Sequence, residues 1–595
     1  MTELSYRKLA PAEIEQLERQ GNSADDWSKV LVSDTFCAEC VKDSTFEGAV
    51  FLGAIEKGRR TDGALSLREG IYNSILADVT LGNHPAIHNV RMLSGYCIGD
   101  NALLFNLDEM TCDPANPAWL EPMNENGGRR IMPFGGMTIG DAYLWARYRG
   151  RKSLMAKLEQ YTRDILATPG QRYGRLGDCV VVKNTKNLHN IHMLSSADDP
   201  SRIDSCITLR DGVIGYGCTV EHGIIAERFL LGEHVHLEFG LRLNDTVVGD
   251  NSTLARCEVG NSIIFPAHEQ HHNNSFLIAG LIMGQSNIAA GGTIGSNHNS
   301  RTADNELAAG RGFWPGLCCS FKHSSRFASY CLLAKGDYPA ELDITLPFAL
   351  VNNNQSKDQL EVMPAYWWMY NMYAMDRNSK KFAKRDKRKV KAQHIEFDNL
   401  APDTAEEILH GMKLLRGWIA KADSGMVCAE GMEKGKRKTV ILKGEEGLKA
   451  YEDMLVFYAM KNLDGQPLAA LQTSPAAPTE WVNLGGQLVA KPDMEQLIAD
   501  VENGVLDSWQ AINGRLDDLW QAYPAQRTAH AYQVLCTLEG TPSLSEAQWQ
   551  RLQQRYASIQ AFIDEQKKVS RQKDDVNPFR NMTYWDPDEA AAVLE

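Results

Sequence analysis

The chain has 595 residues, 43% of them hydrophobic and 23% charged, with a formal net charge of −14 at pH 7. That length is too great for one ordinary domain, and the composition is that of a folded chain, which excludes disorder on a large scale. The acidic balance argues against a nucleic-acid binder, and no apolar run reaches the roughly 20 residues that span a bilayer.

The first twenty residues carry no hydrophobic signal region, so a cytoplasmic protein is expected. The 13 cysteines are odd in number and irregular in spacing, which implies no disulfide framework. Cys37 and Cys40 form one CxxC, but a structural zinc site needs a second pair, and adjacent Cys318 and Cys319 do not supply it. Buried thiols are the expected reading. Residues 1–69 read as an N-terminal segment without a clear repeat.

From 70 to 350 the chain reads as an imperfect hexapeptide repeat, which predicts a mainly β, left-handed parallel β-helix. Three consecutive hexads open at Ile282, Ile288 and Ile294, and the same phrase begins at Leu81, Ile98 and Val248. The dipeptides Ile214-Gly215, Leu231-Gly232 and Val248-Gly249 recur every 17 residues, close to one triangular coil. An aliphatic side chain from each face points into a narrow interior, while glycine, asparagine and aspartate suit the corners. One coil cannot bury its own apolar face, so several must stack. The 3.6-residue period of a helix and the hairpin alternation of a sandwich are both missing.

The repeat is interrupted over 110–173, where a polar loop leads to a helical stretch near 141–166 that is expected to pack outside the coil. After 350 the pattern changes to a mainly α-helical region, 351–595. Its aromatic stretch 361–374, with Trp367 and Trp368, is expected to anchor helices on the coil. The basic run 377–391 reads as a solvated helix face or as a phosphate-attracting edge. Thr404 with Glu407 reads as a capping box opening a helix to about residue 421, and further helices are expected near 447–463, 494–523 and 545–570. This region is expected to cap the exposed coil edge.

Chemistry concentrates between 266 and 326. His268, His271, His272 and His298 lie there among Asn273, Asn274, Asn287, Asn297 and Asn299, followed by Arg311, Lys322, His323 and Arg326. Because coils stack at strand spacing of about 4.8 Å, residues one coil apart become neighbours.

Locally this stretch resembles the hexapeptide-repeat acyltransferases, in particular the acetyltransferase half of the enzyme acting on glucosamine 1-phosphate. That group carries a catalytic His, Ser-aromatic-Leu, NIGAGT and an Asn-Tyr pair. Here stand His272, Ser275-Phe276-Leu277, Asn287 followed by IAAGGT, and Asn297-His298. The resemblance implies His272 or His271 as general base, with Asn287 and Asn297 orienting the acceptor; His298 and His323 are further candidate substrate-binding residues. It implies Ala289, Ala290 and Gly291 against an acyl-CoA donor. Arg311, Lys322 and Arg326 would hold the phosphates of coenzyme A or of a sugar phosphate. Phe276 replaces the group's Tyr after the catalytic His, His298 replaces the later Tyr, and no nucleotidyl-transfer motif precedes the coil. The overall layout also resembles an uncharacterised bacterial family with a β-helix and a helical C-terminal region.

The leading expectation is therefore an acyl-CoA-dependent transferase acting on a sugar or sugar phosphate, in a homo-oligomer with a trimer favoured. Its partner would be a small molecule, with neither nucleic acid nor membrane involved. One alternative is a metal-dependent enzyme of the β-helix carbonic-anhydrase type using His268, His272, His298 and His323. The others are a non-catalytic oligomeric scaffold and another sugar-phosphate or nucleotide-sugar transferase.

Overall fold

The structure is a computed structural model that describes residues 5–113, 118–123, 127–168, 174–295, 305–422, 425–473, 477–575 and 577–582, with 589 and 592. Its spine is a parallel β-solenoid. Ile214, Leu231 and Val248 pair in register on successive turns and are no more than 1% exposed. Each is followed by glycine for a steric reason: a Cβ on Gly215 would overlap the Gly232 carbonyl of the next turn. At the corners, Asn101 and Asn251 take left-handed backbone with φ of 60° and 55°, a conformation asparagine tolerates better than most side chains.

One solenoid face is a ten-stranded parallel sheet running from Val41–Lys42 to Glu269–Gln270; the other two faces are joined in a 25-stranded sheet. The ladder begins well before residue 70, because Ser23–Ala24, Val30–Val32 and Val41–Lys42 already pair with strands of later turns. Early turns are longer: Thr45 pairs with Ile75, 30 residues on. The antiparallel hairpin Arg59–Asp62 with Leu65–Arg68 fills that length, which hides the 17-residue period. Asp62 ties the hairpin back to the coil through Lys183 and Arg202.

Helix α1 (Pro11–Arg19) precedes the coil. The chain leaves the coil after Glu109–Thr111, a strand that pairs with Asn187–Met193 of the following turn. The excursion holds α2 (Ile139–Arg147) and α3 (Lys152–Ala167), close to the expected helical stretch. Their apolar sides pack on Val213, Leu230, Val247, Ile263 and Leu281, which point outward from one solenoid face. An apolar outer face is unusual for a solenoid; here it exists to be covered.

At the C-terminal end, Leu350–Asn354 is paired by Gln359–Met363 running back against it, and Lys438–Ile441 and Val427–Ala429 extend the same sheet. Strands rather than helices therefore cover that edge, satisfying its open backbone groups directly. The helices are α4 (Tyr366–Tyr370), α5 (Met372–Arg385), α6 (Pro402–Ala420), α7 (Gly444–Asn462), α8 (Leu468–Leu471), α9 (Lys491–Glu502), α10 (Trp509–Glu539) and α11 (Glu546–Asp575). The helix expected over 494–523 is two, because Gly504 turns with φ 73° and Ser508 caps α10. Trp367 anchors α4 to the coil by donating to the Tyr330 carbonyl at 2.8 Å. Among the described residues no helix is long and apolar enough to cross a membrane.

One local expectation changes. Helix α6 starts at Pro402, so Thr404 sits in its first turn, where its hydroxyl accepts the Ala401 N–H at 3.0 Å. Glu407 is thereby a mid-helix side chain and not part of a capping box. The basic run is solvated along most of its length but is tied to the coil at points: Arg388, 4% exposed, pairs with Asp250 and Asp386 at 2.9 Å each, and Arg385 reaches Glu269 at 3.1 Å.

Candidate active site

Among the described residues, those singled out between 266 and 326 are not gathered at one place. His271 and His272 sit on the corner before the strand Ser275–Ile278, rings 4.4 Å apart. His271 Nδ1 lies 3.2 Å from Glu269, while His272 is exposed. Ala289, Ala290 and Gly291 lie beside them one turn on, joined by the Gly291 N–H to the Asn273 carbonyl at 3.3 Å. Asn287 follows Glu269 on the adjacent face. His323 is at the other end of that strand, 3.3 Å from the Ile278 carbonyl, and Lys322 beside it pairs with Glu341 at 3.6 Å. Asn297 and His298 lie outside the described residues.

His268 is inside the coil, bonded to Ser286 at 2.8 Å and Gln270 at 3.2 Å; burial pushes its imidazole down to about 4. His268, His272 and His323 of the metal alternative are thus dispersed. Among the described residues no group of three His, Cys, Asp or Glu is arranged to hold a metal ion.

Arg311 and Arg326 belong elsewhere, to a cavity of about 700 Å³ between an outer solenoid face, α2, α6 and the strand Trp481–Leu484. Helix α6 presents Asp403, Glu406, Glu407 and His410 at i, i+3, i+4 and i+7, one helical face, toward this cavity. Its opposite side buries Ile408, Met412 and Leu415, each at most 1% exposed. The amphipathic pattern that folds the helix therefore also delivers three carboxylates and an imidazole to the cavity wall.

Arg311 is 2% exposed and holds Asp403 with two bonds of 2.9 and 2.7 Å. Its remaining nitrogen donates to the Asp398 carbonyl at 2.8 Å. Burial opposes that charge, yet Asp403 holds the guanidinium above its ordinary range. So committed, Arg311 shapes the wall and is not available to hold a phosphate. Arg326 at the rim is two-thirds exposed and bound to Asp343.

Glu407 differs from its neighbours. It accepts the Ser329 N–H at 2.9 Å, and burial, reinforced by Asp403, pushes its carboxyl up to about 7. A carboxyl there exchanges protons near neutrality, as a general acid or base requires. Lining the same cavity, Trp481 Nε1, Asn483 Nδ2 and Thr345 Oγ1 are buried polar atoms without a hydrogen-bond partner among the described residues. Such groups are costly unless something else satisfies them. Tyr143 and Arg147 of α2, with Tyr148 just after it, also line the cavity.

The domain of unknown function DUF4954 matches residues 6–418 of the chain. A protein of Treponema pallidum (strain Nichols), described as "Uncharacterized protein", is 40% identical over 652 aligned positions, spanning 99% of this chain and 90% of that relative. The chain belongs to the DUF4954 family. The DUF4954 match ends within α6, so it takes in Arg311, Arg326, Asp403, Glu406, Glu407 and His410, whereas Trp481 and Asn483 come from beyond it. The Treponema relative extends over both parts.

The i, i+3, i+4, i+7 stripe on α6 was the signal that sequence reasoning passed over. Three of its four residues lie within the segment 404–421 already read as helical, and Asp403 directly precedes it.

Proposed function

We propose that the cavity is the acceptor site of a transferase acting on a sugar or sugar phosphate, with Glu407 as general base. The observation that carries this reading is Glu407 itself, a carboxyl poised near neutrality on a wall with unpartnered polar atoms. Aromatic faces at Tyr143, Tyr148 and Trp481 suit the apolar face of a sugar ring. Trp481 Nε1 and Asn483 Nδ2 suit its oxygens, and Arg147 at the mouth suits one anionic group.

The donor class assigned is an acyl thioester, on the local likeness to hexapeptide-repeat acyltransferases. In the reaction the acceptor hydroxyl oxygen bonds to the thioester carbonyl carbon as its proton passes to the Glu407 carboxylate. The carbon–sulfur bond breaks, and the thiolate leaves and takes up that proton. Such a base contributes typically about 10²–10⁴-fold.

A second reading keeps the chemistry at the coil corner, where Glu269 orients His271 beside Ala289–Gly291 and Arg385 stands near. It is favoured by the His271–Glu269 contact of 3.2 Å. Thiol release from acetyl-CoA in the presence of a panel of hexose 1-phosphates separates the two. Under the cavity reading Glu407→Gln abolishes release while His271→Ala and His272→Ala retain it. The reverse pattern transfers the assignment to the corner, and no release with any acceptor removes both.

A further inference from the structure

Glu406, one residue before the proposed base, is held from behind. Its Oε1 lies 2.9 Å from Nε2 of His530, a side chain of α10 with 0% exposure. The other ring nitrogen, Nδ1, lies 2.8 Å from the Tyr458 hydroxyl of α7, likewise 0% exposed. Trp481, which lines the cavity, stands with its ring edge-on to His530 at 5.9 Å and 87°. Three helices and a strand thus converge on one carboxylate.

We propose that Tyr458 and His530 are positioning residues that orient Glu406 toward a hydroxyl of the cavity's ligand, so that Glu406 aims the acceptor while Glu407 takes its proton. This rests on the cavity being the active site. The hydrogen-bond inventory fixes the direction of the chain. A carboxylate accepts, so His530 Nε2 carries a hydrogen; in the neutral ring Nδ1 then accepts from the Tyr458 hydroxyl. The ring cannot rotate without losing both bonds. Among the described residues Glu406 Oε2 has no partner, which leaves it for the ligand. Two adjacent carboxylates thereby receive different tasks from their surroundings, one held by a buried imidazole and one pushed up by burial.

Several charged groups nearby are paired elsewhere. Arg527 of α10 binds Glu396 at 3.0 Å and Asp398 at 2.8 Å, and Asp403 is bound to Arg311. Among the described residues none of these groups is paired with His530 or Tyr458.

The test uses the full chain labelled with ¹⁵N-histidine, as wild type, His530→Gln and Tyr458→Phe. At pH 7.5 the wild type is expected to show one histidine as the neutral Nε2–H tautomer. That signal disappears in His530→Gln, which assigns it; in Tyr458→Phe it keeps the Nε2–H pattern while its Nδ1 resonance shifts as the bond from the hydroxyl is lost. In the transfer assay Tyr458→Phe is expected to lower kcat roughly tenfold with little change in KM, the effect of one positioning hydrogen bond. His530→Gln, whose amide still donates to Glu406, retains more activity than His530→Leu. An Nδ1–H or doubly protonated His530 in the wild type overturns the inference, as does a Tyr458→Phe variant with unchanged kcat. The correct tautomer without turnover on any acceptor instead overturns the active-site reading.

Discussion

Arg311, on a solenoid corner, grips Asp403, in the first turn of α6, through two nitrogens at 2.9 and 2.7 Å. This pair locks the helical region to the solenoid and sets the height at which Glu406, Glu407 and His410 face the cavity. Removing one partner strands a buried charge, at a cost of about 3–5 kcal/mol. Arg311→Met and Asp403→Leu should each lower the denaturant midpoint sharply, and the double variant should recover much of the loss. A double variant no better than its parents would mean that the pair adds more than charge compensation.

The Glu407 carboxyl is raised from 4.5 to about 7 in the fold. The fold therefore holds a proton that the unfolded chain releases between those values, and stability falls as pH rises through that window. Glu407→Gln removes the penalty, so the variant should melt above the wild type at pH 8 and level with it below about pH 4.5. Thermal unfolding across pH 4–8 checks this. Equal melting differences at both ends would place Glu407 in water. Catalysis has the opposite sign, since the base must be ionised: turnover should rise with pH through about 7.

His268 inside the coil works in the other direction, its imidazole lowered from 6.5 to about 4 by burial. Between those values the unfolded chain takes up a proton that the fold refuses, so stability is lost as pH falls through the window. His268→Gln should flatten the pH dependence of the denaturant midpoint between 6.5 and 4 by up to one proton. An unchanged slope would assign the acid sensitivity to other groups.

Turn-to-turn stacking is tested by Leu231→Ala. The side chain is 1% exposed and sits between Ile214 and Val248 in the stack, so about 2–5 kcal/mol is expected from lost burial and the cavity left behind. Equilibrium unfolding measures it, and a loss below 1 kcal/mol would mean that the solenoid interior collapses freely.

The solenoid was legible because its constraint is local and repeated: Ile214, Leu231 and Val248 recur at a fixed interval, and the glycine after each answers a close approach that recurs with them. The early turns were not, because the hairpin at Arg59–Arg68 stretches the interval. The site was harder to read. Histidine and asparagine density drew attention to 266–301, yet His268 serves the interior, while His271 and His323 lie at opposite ends of one strand. The cavity assembles Tyr143, Ser329, Glu407 and Asn483 from segments far apart in the chain, and no spacing rule joins them. Only the stripe on α6 carried a local signature, and Thr404 beside it was more easily taken for a cap.

The central claim is that the cavity beside Glu407 receives a sugar-type acceptor. It is tested most directly by isothermal titration of hexose 1-phosphates into the wild type, Asn483→Leu and His272→Ala. At least one of these ligands is expected to bind wild type and His272→Ala alike and to lose about tenfold or more in affinity with Asn483→Leu, as removal of a buried donor predicts. Binding untouched by Asn483→Leu but lost with His272→Ala, or no binding across the panel, would contradict the account.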